Sequence, residues 1–183
     1  MQHDTTQGTT RVERINYAAM VEELSVKSAQ YRQRLLADDP TNFEIITRRD
    51  SDYLSMYGIG VTGPRQTGKT FLAYDMMLED SDTLMVVVNS LFATAAIDNI
   101  VHLSADSLDL DRLKWRIATG RDVLRVNAFA QSNPLDPDNP LHTVKRVVVD
   151  EAYYIQDKCG ATLRDIAHWA RLGGQSPEIV IIN

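Results

Sequence analysis

The segment GPRQTGKT at 63–70 constrains this chain more than any other feature. It has the spacing G-x-x-x-x-G-K-[ST], and it lies between an apolar run, MYGIGVT, and a segment that is apolar nearly all round, FLAYDMML. A glycine-bearing turn that joins a strand to a buried helix lets successive backbone amides point inward at an anion. In that pattern Gly63, Pro64, Arg65, Gln66, Thr67, Gly68, Lys69 and Thr70 cradle phosphate, Lys69 reaches the terminal phosphates, and the Thr70 hydroxyl can ligate Mg²⁺. A strand feeding such a turn belongs to a mostly parallel sheet with right-handed helical crossovers, so the fold class is α/β.

The rest of the chain reads in the same way. Tyr17, Met20, Val21, Leu24, Tyr31 and Leu35 recur at helical spacing behind an Asn16 cap, and Asp39-Pro40 opens a short helix that ends near Arg48 and Arg49. These helices are expected to form an N-terminal extension over 1–55, packed on one side of a phosphate-loop core over 56–183. In the core, a strand is expected from Met56, and TLMVVVN at 83–89 is a fully buried strand followed by a helix that Ser90 caps. A helix around 107–118 leads through Gly120 to a strand at 122–126, and Pro134, Pro137 and Pro140 mark a surface loop. KRVVVDE is a strand, Leu163 to Ala170 lie on a helix stopped by Gly173-Gly174, and EIVII is the last strand. No repeat and no linker divides the chain.

RVVVDEAYYI carries the second half of the chemistry. Three valines form a strand that delivers Asp150 and Glu151 to its C-terminal edge, where ligands bind in open α/β sheets. Asp150 would hold Mg²⁺ together with Thr70, and Glu151 is placed to polarise an attacking water. Such a water-activating acid fits hydrolysis of a nucleoside triphosphate such as ATP. In ATPases with a catalytic glutamate, a later strand inserts between the Asp-Glu strand and the phosphate loop, and its polar tip senses the terminal phosphate. Asn183 is the candidate tip.

Arg65 and Gln66 ahead of Thr-Gly-Lys-Thr resemble the phosphate loop of the large terminase subunits, which package DNA into viral capsids. Asp150, Glu151 and Ala152 match their Asp-Glu-Ala strand, and VVVNSLFATAAIDNI resembles their second strand and helix. The resemblance spans about 56–183. It implies a motor ATPase that uses ATP and Mg²⁺, with Arg65 acting on the γ-phosphate from within the subunit. It also implies double-stranded DNA, a portal or capsid, and nuclease or other terminase subunits as partners, a homo-oligomeric ring when active, and the cytoplasm of an infected cell as the setting. The clustered carboxylates of a terminase nuclease do not follow, which fits an isolated ATPase module or a motor separate from its nuclease. GPRQ-x-GKT with an Asp-Glu strand is also similar to AAA-type or helicase-like ATPases of other DNA-handling pathways. A nucleotide-dependent switch with little turnover is the third reading.

Composition narrows these readings. The 183 residues are 44% hydrophobic and 24% charged, as in a globular domain. Nineteen Lys and Arg against 25 Asp and Glu leave a charge of −6, so DNA affinity cannot come from bulk charge and should be weak in the isolated chain. The densest basic stretch, Arg112, Lys114, Arg116, Arg121 and Arg125, is diluted by Asp106, Asp109, Asp111 and Asp122 and reads as a solvated face. Tyr153 and Tyr154 read as core aromatics. A lone Cys159 and four scattered histidines offer no disulfide or zinc spacing, and a reducing compartment fits. No secretion signal and no membrane-spanning run is apparent.

Overall fold

The computed structural model describes residues 15–64, 68–105, 107–125 and 140–183. Three helices come first, α1 (Tyr17–Asp38), α2 (Pro40–Thr47) and α3 (Asp50–Tyr57). The core follows with β1 (Gly58–Val61), α4 (Lys69–Glu79), β2 (Thr83–Val87), α5 (Ser90–Leu103), α6 (Leu110–Trp115), β3 (Ile117–Thr119) and α7 (Gly120–Leu124). After a single 3-10 turn at Pro140–His142 come β4 (Arg146–Asp150), α8 (Ala152–Cys159), α9 (Leu163–Ala170) and β5 (Glu178–Ile182).

The strands form one five-stranded sheet in the order β1-β5-β4-β2-β3, and every pair is parallel. β5 therefore lies between β1 and β4. Side chains alternate across the sheet as a period of two demands. Leu84, Val86, Val147, Val149 and Ile179 pack against α3, α7, α8 and α9 on one face, while Met85, Val87, Val148, Val180 and Ile182 pack against α1, α4, α5 and α6 on the other. The valine-rich strands are buried on both faces, which is why they lack a polar alternation.

Several local expectations change. The strand expected from Met56 begins at Gly58, because α3 runs through Tyr57 and is held there by Ser28 and Arg32 of α1, both of which donate to the Met56 carbonyl. The N-terminal helices do not sit on one side. α1 joins the α4 face and α3 the α9 face, so together they straddle the β1 edge. Asn89 rather than Ser90 caps α5, accepting from the Leu91 and Phe92 amides. The helix expected over 107–118 shortens to α6, and Ile117–Thr119 is the strand instead. The described part of the expected 122–126 strand is helical, because the Thr119 hydroxyl and the Asp122 carboxylate form a reciprocal capping box that starts α7 at Gly120. The first dozen residues, the proline loop apart from Pro140, and Asp106 lie outside the described residues.

One cluster ties the N-terminal helices to the sheet. Tyr53 and Tyr57 stack with centroids 4.4 Å apart, Arg32 lies 4.2 Å over the Tyr57 ring, and Arg171 lies 4.6 Å over that of Tyr53. The fully buried Tyr53 hydroxyl donates to the Pro177 carbonyl, one residue before β5. Tyr53→Phe should keep the stack but strand that carbonyl, lowering stability by about 1–2 kcal/mol in urea unfolding. A loss below the measurement error would show that the hydroxyl does not anchor the start of β5.

Candidate functional site

Because all strands run the same way, their C-terminal tips share one edge, and Gly63, Lys69, Thr70, Asp150, Glu151 and Asn183 meet there. β1 leads into Gly63 and Pro64, and α4 begins at Lys69 behind Gly68. Arg65, Gln66 and Thr67 lie outside the described residues. Gly68 has φ 87° and ψ 15°, a left-handed conformation that strains any residue with a Cβ, while no atom lies within 4 Å of where that Cβ would be. Backbone angle, not space, calls for glycine at this position. Gly63 is the opposite case, since a methyl group there would overlap the Tyr17 hydroxyl. Among the described residues no side chain caps the start of α4, so its first amides can meet an anion.

Lys69 spans the gap between two strand tips. Its ammonium donates to the Gly63 carbonyl at 2.5 Å and to the Asn183 main-chain carbonyl at 2.5 Å. Asn183 is itself held from both sides: its amide donates to the Val61 carbonyl at 3.0 Å, and its side-chain oxygen accepts from the Tyr153 amide at 3.1 Å. The insertion of β5 thus brings Lys69, Asn183 and the start of α8 together. That bond uses only the oxygen of the Asn183 side chain, so a donor role toward a ligand would fall to its amino group.

Asp150 ends β4 with only 7% of its surface exposed. The Thr70 hydroxyl donates to its Oδ1 over a long 3.5 Å. Burial, and then the neighbouring Glu151 charge, push the Asp150 carboxyl up from 3.8 to about 6, against smaller opposing effects from the Thr70 bond and from Lys69. Burial first, and then the Asp150 charge, also raise the Tyr74 phenol. Glu151 follows at φ 59° and ψ 53°, the one non-glycine residue with positive φ among those described. Such a conformation costs about 1–2 kcal/mol and is kept only where the surroundings impose it. Here it turns the chain from β4 into α8 and leaves the Glu151 side chain exposed beside the strand tips.

The donor set suits Mg²⁺. Thr70 supplies a hydroxyl and Asp150 a carboxylate whose raised pKa a cation would reverse. Among the described residues no group of three or more His, Cys, Asp or Glu side chains could hold a metal ion. Oxygen ligands from one or two side chains, completed by water and phosphate, are what Mg²⁺ takes, in contrast to zinc or calcium sites built from protein alone.

Other expectations fare differently. Tyr153 is 76% exposed and Tyr154 42%, so neither is core: α8 turns them outward while Ala152 and Ile155 face the sheet. Sequence reading had no helix at 152–159, although spacing of Ala152 and Ile155 before Gly160 carries its signal. Arg116 leaves the solvated basic stretch, since it is partly buried and donates to the carbonyls of Met77, Asp80 and Thr83, closing the C-terminal end of α4. Tyr17, which touches the turn from 46 residues upstream in sequence, had no sequence signal tying it to the site. No protein-family model matches the chain, and comparisons with curated proteins and with solved structures return no match. The residues and their geometry carry the reading.

The buried acid gives a pH-dependent prediction. Well below pH 3.8 Asp150 is protonated in both the folded and the unfolded chain and costs nothing. As pH rises from 3.8 to about 6 only the unfolded chain releases this proton, so the contribution to stability falls and the full penalty stands above that window. In the absence of nucleotide and divalent cations, Asp150→Asn should therefore be more stable than the parent at pH 7.5 by up to about 3 kcal/mol, the gain vanishing below about pH 3. Thermal melting across that range checks it, and a pH-independent difference would show that Asp150 ionises normally.

Proposed function

We propose that this protein is a magnesium-dependent ATPase of the phosphate-loop class, and that it acts as a terminase-like motor packaging double-stranded DNA. The observation that carries the reading is the position of β5, which joins Lys69 to the tip of the last strand while Thr70 meets Asp150 one strand further along. A glycine turn alone does not require that convergence.

In this reading the amides of the 63–70 turn and of α4 bind the ATP phosphates, and the Lys69 ammonium neutralises their charge. Lys69, with three donors, keeps its bond to the Gly63 carbonyl and exchanges the one to the Asn183 carbonyl for phosphate oxygens. Thr70 and Asp150 hold Mg²⁺, which when bound spreads the charge of the phosphates it contacts. Glu151 accepts the proton of the attacking water, its exposed carboxylate being free of any capping bond in α8. Asn183 orients the reacting groups from the β5 tip, and Arg65 stabilises charge that develops on the γ-phosphate.

A charge of −6 leaves any single subunit a weak hold on DNA, so the motor reading calls for a ring of subunits on a portal or capsid, in the cytoplasm of an infected cell, in which weak contacts add. Among the described residues no helix is long and apolar enough to cross a membrane. The exposed Tyr153 and Tyr154 beside the acids favour a second reading, a helicase-like ATPase that stacks unpaired bases.

Phosphate release measures both levels. Lys69→Ala should lose at least about a hundredfold in turnover with an unchanged circular dichroism spectrum, and Glu151→Gln should lose about as much while retaining ATP binding. Duplex DNA should raise the rate of the wild type, more so at low salt. Turnover that survives Lys69→Ala would remove the ATPase assignment, and stimulation by single-stranded DNA alone would replace the packaging motor with the helicase-like reading.

A further inference from the structure

We propose that Tyr17, the first residue of α1, is a positioning residue for the phosphate-binding turn: it walls Gly63 and so fixes the carbonyl that holds Lys69. The inference rests on the nucleotide reading of the site. α1 is 22 residues long, yet Tyr17 and Val21 are its only buried residues, both at the end nearest the turn. Its buried side chains are confined to that end, while Ser28 and Arg32 further along bond to α3. The Asn16 side chain accepts from the Ala19 amide at 3.1 Å, which sets Tyr17 as the first helical residue and fixes where its ring enters.

The ring lies in the same buried cluster as Ile59 and Val61 before the turn and Leu72 and Ala73 after it, and α1 packs against both β1 and α4. The Tyr17 hydroxyl is the nearest atom to a Cβ placed on Gly63, followed by Cζ at 3.2 Å and Cε1 at 3.5 Å of the same ring. Gly63 has no positive φ, so its backbone would accept alanine were the ring not there. With Tyr17 against its Cα, Gly63 is held so that its carbonyl meets the Lys69 ammonium at 2.5 Å. The ammonium is ordered before nucleotide arrives, which lowers the ordering cost of binding. An N-terminal helix that resembles a peripheral extension is thereby built into the site.

The test is ATP affinity, by calorimetry with Mg²⁺, alongside thermal melting of each variant. Tyr17→Ala should weaken affinity about tenfold, whereas Val21→Ala, which removes buried bulk one turn along the same helix, should lower the melting temperature but change affinity less than about twofold. Gly63→Ala should also weaken binding about tenfold, and adding Tyr17→Phe should recover most of that loss, because the nearest obstacle is then a ring carbon that needs only a small shift. Equal effects of Tyr17→Ala and Val21→Ala, or no recovery of Gly63→Ala in the Tyr17→Phe background, would overturn the role of Tyr17 and leave the nucleotide site standing. A wild type that binds no ATP, or a Lys69→Ala variant that binds it equally well, would overturn the site reading and this inference with it.

Discussion

The Lys69 ammonium rests on two carbonyls, those of Gly63 and Asn183, that belong to different strands, and the contact exists because β5 lies between β1 and β4. Placing a strand there requires its backbone to be paired on both sides, and it is: Ile179 to Ile182 pair with Gly58 to Val61 of β1 and with Val147 to Asp150 of β4. The register of those ladders sets the height of Asn183 relative to Lys69 and to the turn after Asp150. A slip of one residue would turn Val180 and Ile182 to the wrong face and withdraw Asn183 from Lys69. Packing and chemistry are therefore specified by the same pairing. Arg146 and Glu178, paired in register at the opposite end of the two strands and 3.1 Å apart, help to pin it.

The end of β4 is the part of the molecule least suited to stability. Asp150 is buried with a raised pKa, and the next residue, Glu151, adopts a left-handed conformation that glycine would take without strain. The rest of the fold offsets these costs. Val147, Val148 and Val149 are wholly buried just ahead of them, and the Arg32, Tyr57, Tyr53 and Arg171 stack clamps the N-terminal helices against the segment that enters β5. A raised pKa and backbone strain thus fall on two adjacent acids at the C-terminal edge of the sheet, in keeping with the proposed site.

The left-handed Gly68 ahead of α4, the buried valine strands and the Asn16 and Asp39 caps were legible because each depends on neighbours in sequence. The insertion of β5 was legible only through resemblance to ATPases with a catalytic glutamate. What could not be read depends on distant partners or on two signals in conflict. YLSMY carries enough apolar and aromatic residues for a strand, and bonds from Ser28 and Arg32 decide for helix as far as Tyr57. Val123 and Leu124 suggest a strand, whereas the Thr119 and Asp122 box makes them helical, a local signal that was available in T-x-x-D. Arg116 belongs by composition to a charged surface and by structure to the end of α4. Tyr17 reaches Gly63 only through the fold.

The central claim is that the tips of β1, β4 and β5 form a single nucleotide site. Hydrogen exchange with and without ATP and Mg²⁺ measures it directly, because backbone amides at all three tips report together. Slowed exchange is expected in peptides covering 63–70, 150–153 and Asn183 at once, with the effect at 150–153 lost when Mg²⁺ is chelated. Unchanged exchange at these segments, or protection at only one of them, would contradict the account.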